Sequence, residues 1–239
     1  MQVKTEAIVL NAIRYADADL IVKMYTKDFG IVSYILKGVL KSKKGKLRPS
    51  FFQIGNILEI DTFQKKKNGL STLKEVKPIF HFKTLHIDVV KGSLITFLFE
   101  ILNQVLVEEQ SDQELYQFLY KSLMWLDINE DIALFHVLFL LGLTSFLGCY
   151  PDDSNIEALI FDLEKGSFIS HAENNEILIG EILLKFKMLL GMKFDDIKMV
   201  LIPKIQRKEL LNSMLRYYYY HVPGYREPKS LVILEQLFN

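Results

Sequence analysis

The sequence predicts an α+β fold in which a small closed barrel of five β-strands precedes an all-helical domain. Three observations predict it. Short runs rich in Val, Ile, Leu, Tyr and Phe crowd the first 80 residues, turn-forming residues separate those runs, and from about residue 84 the apolar positions recur at helical spacing instead. Five short strands in so little chain favour a barrel over a sandwich. At 239 residues the chain divides into domains 1–80 and 81–239, either large enough to bury a core without staples.

The strand runs are Thr5–Leu10, Leu20–Thr26, Ile31–Lys37, Asn56–Phe63 and Leu70–Val76. Leu58, Ile60 and Thr62 alternate with Glu59 and Asp61, the period of two of a half-buried strand. Turns fall at Asp17–Asp19, Asp28–Gly30, Gly45–Ser50 and Asn68–Gly69, the last a hairpin signal. Beyond the boundary near Pro78 and His81, Leu94, Ile95, Leu98, Ile101, Leu102 and Val105 share one helical face, and Leu115, Phe118, Leu119, Leu123 and Leu126 share another. Ser111, three residues before Glu114, reads as a capping box at a helix start. Ile177–Leu190, Glu209–Tyr220 and Ser230–Phe238 are further helices, and Leu159–Asp162 with Ser167–Ser170 forms a small hairpin inserted at about 157–170.

The stretch Ile132–Tyr150 lacks Asp, Glu, Lys and Arg over 19 residues, the length of a membrane span. Its flanks are acidic, with no Lys/Arg anchor at either end, and its neighbours are apolar too, so a buried core helix is expected and no membrane contact. The start of the chain lacks the long apolar core of a signal peptide. Cys149, the one cysteine, can form neither an internal disulfide nor a Cys-rich zinc site, which suits a reducing cytoplasm.

The net charge of zero, 29 basic against 29 acidic residues, argues at first against a nucleic-acid partner. Divided at the boundary it reverses that inference. Residues 1–80 hold 15 Lys and Arg against 7 Asp and Glu, a net of +8, and the remainder carries −8. The basic charge is concentrated in Lys41, Lys43, Lys44, Lys46 and Arg48 and in Lys65, Lys66 and Lys67, on two inter-strand segments of the kind that hold oligonucleotides in such barrels. Lysine suits phosphates and reads bases poorly. The DNA-contact set is therefore Arg14, Lys37, Lys41, Lys43, Lys44, Lys46, Arg48, Lys65, Lys66 and Lys67. Tyr15, Tyr34, Phe51, Phe52 and Phe63 lie among them, suited either to stacking on bases or to filling the barrel.

No catalytic constellation emerges. Gly38 and Gly45–Leu47 miss the spacing and the hydroxyl of a phosphate-binding loop. The five histidines contain no i,i+4 pair, nothing local activates Cys149 as a nucleophile, and the pairs Asp152/Asp153 and Asp195/Asp196 mark turns and helix starts. The expectation is a protein that is not an enzyme and has no cofactor.

Thr5–Leu10, Tyr15-Ala-Asp-Ala-Asp19, Tyr25-Thr26, Phe29-Gly30 and Lys37-Gly38-Val39, followed by the lysine-rich segment, resemble the start of the bacterial recombination mediator family RecO. Leu215-Arg-Tyr-Tyr218, His221-Val-Pro-Gly224 and Lys229-Ser-Leu231 resemble that family's end. The resemblance implies an N-terminal OB-fold and a C-terminal helical domain. It implies binding of single- and double-stranded DNA, annealing of complementary strands, and cooperation with RecR on strands coated by single-strand binding protein so that RecA loads. It further implies contact with the acidic, hydrophobic C-terminal tail of single-strand binding protein, and a bacterial, nucleoid-associated, cytoplasmic setting. An acidic helical domain receives such a tail only where cations such as Lys185, Lys187, Lys204, Arg207 or Lys208 gather. Arg216, Tyr217 and His221 are the expected partner or interdomain contacts. Many relatives carry a four-cysteine zinc module near the position of Cys149–His171; only Cys149 stands here, so no structural zinc is expected. The alternative function is a helical interaction scaffold whose basic barrel is accessory.

Overall fold

The computed structural model describes residues 2–41, 47–63, 69–106 and 111–238. The chain packs as two units, Met1–Asp127 with Ser230–Asn239, and Ile128–Lys229.

The first unit opens with five antiparallel strands, β1 (Gln2–Tyr15), β2 (Asp19–Thr26), β3 (Gly30–Leu36), β4 (Ile57–Phe63) and β5 (Thr72–Pro78), in the order β3-β2-β1-β4-β5. The long β1 serves both halves: Gln2–Ile8 pair with β4, and Ala7–Tyr15 pair with β2. A parallel bridge between Tyr34 and Ser71 closes the sheet, with Ile35 N donating to Ser71 O (3.0 Å) and Ser71 N to Ser33 O (2.9 Å). This is the OB-fold, a five-stranded barrel closed between β3 and the start of β5 by that bridge. Val9, Val22, Met24, Tyr34, Leu36 and Ile60 fill it, and each such fully buried large side chain contributes about 1.5–3 kcal/mol.

One irregularity sets which side chains face out. The β1–β2 register slips between Val9 and Asn11. Ala7 and Val9 point into the barrel before the slip, and Ala12 does so after it. A one-residue bulge thus shifts the alternation and turns Ile13 and Tyr15 outward, both 52% exposed. The bulge is pinned from outside: Asn103 Nδ2 donates to Leu10 O at 3.0 Å.

Asn103 belongs to α1 (Val89–Val105), which packs on β1 and is followed by α2 (Gln113–Ile128). Lys23 Nζ bonds Asn103 O at 3.3 Å, and the Tyr25 hydroxyl both donates to Asp112 O and accepts from Asp112 N. The cap of α2 is Asp112, whose Oδ1 accepts from the amides of Glu114 and Leu115, rather than Ser111. Two cap-forming residues stand side by side there, and the Ser-x-x-Glu spacing favours the wrong one. The buried Asp127 carboxylate accepts the amides of Lys83 (3.0 Å), Thr84 (2.7 Å) and Leu85 (2.9 Å), and buried Lys91 Nζ reaches Asp127 O at 2.9 Å. These bonds fix the segment joining barrel to helices.

The second unit contains α3 (Phe135–Phe146), strands β6 (Ile160–Asp162), β7 (Ser167–Ile169) and β8 (Ile177–Ile179), α4 (Gly180–Leu189) and α5 (Lys204–His221). The uncharged stretch forms α3, a core helix of 12 residues, and among the described residues no helix is long and apolar enough to cross a membrane. The hairpin is a three-stranded sheet in the order β7-β6-β8. Residues 177–179, expected to begin a helix, are its third strand, and Gly180, at φ 61°, turns the chain into α4. The final helix, α6 (Leu231–Phe238), belongs to the first unit, where Ser230 N donates to the Glu100 carboxylate at 3.0 Å.

Candidate nucleic-acid interface

The barrel gathers Arg14, Lys37 and Lys41 around one end. Arg14 lies on the last turnward stretch of β1, where it pairs with Leu20, and Leu20 pairs with Leu36. Lys37 follows Leu36 and therefore lies alongside Asp19. The β1–β2 turn and the segment after β3 are stitched together: Asp19 Oδ1 accepts from Gly38 N at 2.7 Å, and Leu40 N donates to Ala18 O at 2.9 Å. Gly38, at φ 68°, takes a left-handed conformation that a side chain would strain. The amide of Lys41 returns to Gly38 O at 3.2 Å. Arg14, Lys37 and Lys41 are all exposed.

Lys43, Lys44 and Lys46 lie outside the described residues, between Lys41 and Leu47 in the sequence. Lys65, Lys66 and Lys67 also lie outside them, as does Asn68 of the expected hairpin turn. Their segment returns at Gly69, two residues before Ser71 bonds Ser33 and Ile35 on β3. One described anchor of each lysine-rich segment, Lys41 of the first and the Gly69–Ser71 stretch of the second, is thus tied to the last residues of β3 or to the chain directly after it. Arg48 is exposed, its guanidinium 5.9 Å from the Phe51 ring.

The aromatics divide cleanly. Tyr34 and Phe52, at 1% and 2% exposure, are barrel core. Burial pushes the Tyr34 phenol up to about 12, against the opposing effect of its hydrogen bond with Thr62. Phe51 packs partly against that core. Tyr15 and Phe63 stand in solvent.

The residues expected to meet a partner or the other domain are engaged within the second unit. Tyr217 is buried, its hydroxyl donating to Cys149 O at 2.9 Å and its ring stacked on His221 at 4.1 Å. His221 Nε2 lies 2.8 Å from Leu163 O, so this nitrogen carries the proton and donates. Arg216 pairs with Glu176 at 3.2 Å. A β-carbon at Gly166, φ 71°, would lie 2.7 Å from the Tyr217 hydroxyl, so this closure requires glycine. Phe161 packs centrally against Phe168, Phe186 and Tyr217. Zinc does not fit this region: it has one half-buried cysteine, and among the described residues no three His, Cys, Asp or Glu side chains gather where they could hold a metal ion. Aromatic packing and these backbone contacts hold Cys149–Gly166 together.

Of the five cations considered on the helical domain, Lys187 is bonded to Ala158 O and Arg207 to Ile202 O. Lys204 and Lys208 are exposed and Lys185 is half-buried. Gln206 Nε2 bonds the Glu181 carboxylate at 2.8 Å and so joins the beginnings of α4 and α5. Exposed Leu184 lies one turn from Glu181, and exposed Ile205 precedes Gln206.

A closed OB barrel with cations around one end, continued by helices, defines the class: an OB-fold protein with a basic barrel end and a helical C-terminal part. Residues 1–82 match the family described as Recombination protein O N terminal, and residues 86–231 match Recombination protein O C terminal. The chain belongs to the RecO family of DNA repair and recombination proteins. It is 38% identical over 239 residues to the DNA repair protein RecO of Flavobacterium psychrophilum and 37% identical to that of Christiangramia forsetii, covering all of each chain in both cases. It is 31% identical to the DNA repair protein RecO of Phocaeicola vulgatus, over 99% of each chain.

Proposed function

We propose that the protein is a non-enzymatic recombination mediator of the bacterial cytoplasm. It binds single- and double-stranded DNA through domain 1–80, anneals complementary strands and, with RecR, helps RecA load onto strands coated by single-strand binding protein. The observation that carries the reading is the convergence of exposed Arg14, Lys37 and Lys41 on one barrel end, with one described anchor of each lysine-rich segment tied to β3 or the chain just after it. Phosphate neutralisation by such a set supplies affinity without sequence preference. The DNA-contact residues are Arg14, Lys37, Lys41, Lys43, Lys44, Lys46, Arg48, Lys65, Lys66 and Lys67. The acidic tail of single-strand binding protein docks on the apolar surface of Leu184, Met188, Leu201 and Ile205, with Lys185, Lys204 and Lys208 for its charge; all four apolar side chains are exposed.

Annealing of two complementary labelled strands, bare and coated with single-strand binding protein, tests this reading. The protein accelerates annealing in both cases. No acceleration in either contradicts a mediator role and leaves the scaffold function standing.

A further inference from the structure

The outer face of the barrel beside the cationic end carries an apolar row with no role in the core. Ile13 of β1 pairs with Ile21 of β2, and Ile21 pairs with Ile35 of β3. The flanking rows Ala12–Val22–Tyr34 and Leu20–Leu36 supply the barrel interior, so the three isoleucines face outward. Ile13 is 52% exposed, and Ile21 and Ile35 are half-buried. The next outward row begins with Tyr15, also 52% exposed, opposite Asp19. Nearer the N-terminus of β1 the outer positions Ile8 and Leu10 are fully buried where α1 packs on the strand, so the open apolar surface is confined to the end that carries the cations. Strands about 4.8 Å apart make the row roughly 10 Å wide, the scale of one or two nucleobases.

We propose that Tyr15 and the Ile13–Ile21–Ile35 row form a seat for unstacked nucleobases, and that the protein prefers single strands because only they offer base faces to it. The proposal rests on the DNA-binding reading above and deepens it. The occupant is chosen by charge: Lys37 continues the outward row of Tyr15 and Asp19, exposed Arg14 and Lys41 lie at the same end of the barrel, and the first 80 residues carry +8, which suits a polyanion whose bases turn inward. A duplex hides its base faces and meets the rim cations alone. Stacking on an aromatic ring contributes an affinity that salt does not screen, in addition to the phosphate term that it does.

Fluorescence anisotropy on the full chain tests the seat with three probes: an oligothymidylate, an abasic sugar-phosphate chain of equal length, and a duplex. The wild type binds oligothymidylate about tenfold or more tighter than the abasic chain. Tyr15→Ala removes about tenfold from oligothymidylate binding, leaves abasic and duplex binding unchanged, and preserves the salt slope; Tyr15→Phe restores the lost affinity. Equal wild-type affinity for oligothymidylate and abasic chain overturns the seat while leaving the DNA-binding reading intact. Unchanged oligothymidylate binding by Tyr15→Ala, or equal losses on all three probes, overturns it as well and assigns the patch to a protein contact or to the fold. Binding of none of the probes by the wild type defeats the underlying reading itself.

Discussion

Two buried groups make the stability of this protein sensitive to acid. His136 on α3 is 4% exposed; burial pushes its imidazole down to about 4, and the Arg207 guanidinium adds to the effect. An unfolded chain binds that proton near 6.5, so between pH 6.5 and 4 the unfolded state holds more protons than the folded one. The contribution is full above pH 6.5 and is lost as the pH falls toward 4, by roughly 3 kcal/mol. Asp127 works in the same direction at lower pH. Burial raises its carboxyl, but the amides of Lys83, Thr84 and Leu85 and the Thr84 hydroxyl outweigh that and hold it below its ordinary value. Urea unfolding at stepped pH checks the histidine: the wild type loses stability from pH 6.5 to 4, and His136→Gln shows a flatter profile over that window. Identical profiles would remove His136 from the account.

At the scale of elements, the β1 bulge and the α4–α5 face matter most. The bulge is invisible in the sequence, because the unbroken run Ala7–Leu10 has no period and the contact that pins it, Asn103 to Leu10 O, spans 93 residues. The strand ends 2–4 and 11–15 were likewise hidden, since polar or exposed residues there obscure the alternation that marks the strand centre. Ile177–Ile179 reads as helix because an apolar triplet directly before a helical run has no distinguishing period; its pairing with β6 decides it. By contrast the remaining strands, α1 to α3 and the charge boundary were legible, because each rests on a local pattern. For the second face, Ile205 is 81% exposed, so Ile205→Glu should change stability by no more than about 0.5 kcal/mol. The same variant should anneal bare strands normally and lose several-fold on strands coated by single-strand binding protein. Equal annealing of both would place the tail elsewhere.

For the whole molecule, neutrality conceals a division of charge, +8 in the first 80 residues and −8 in the rest. The candidate interface was legible to the extent that composition determines it. Clustered lysines and the separating turns put cations on inter-strand segments, and the structure ties one described anchor of each segment to the end of β3 or the chain just after it, through Gly38 and Ser71. Which aromatics face solvent was not legible, because Tyr15, Tyr34 and Phe52 are chemically alike and only barrel closure and strand phase separate them. The central claim, that the basic barrel end holds DNA through its phosphates, is tested most directly by the salt dependence of single-strand binding. If about six phosphates are neutralised, log K falls against log salt with a slope of roughly −4, and the Lys43→Glu, Lys44→Glu, Lys46→Glu triple variant flattens it by about 2. A wild-type slope near zero, or a triple variant with unaltered affinity and slope, would contradict the account.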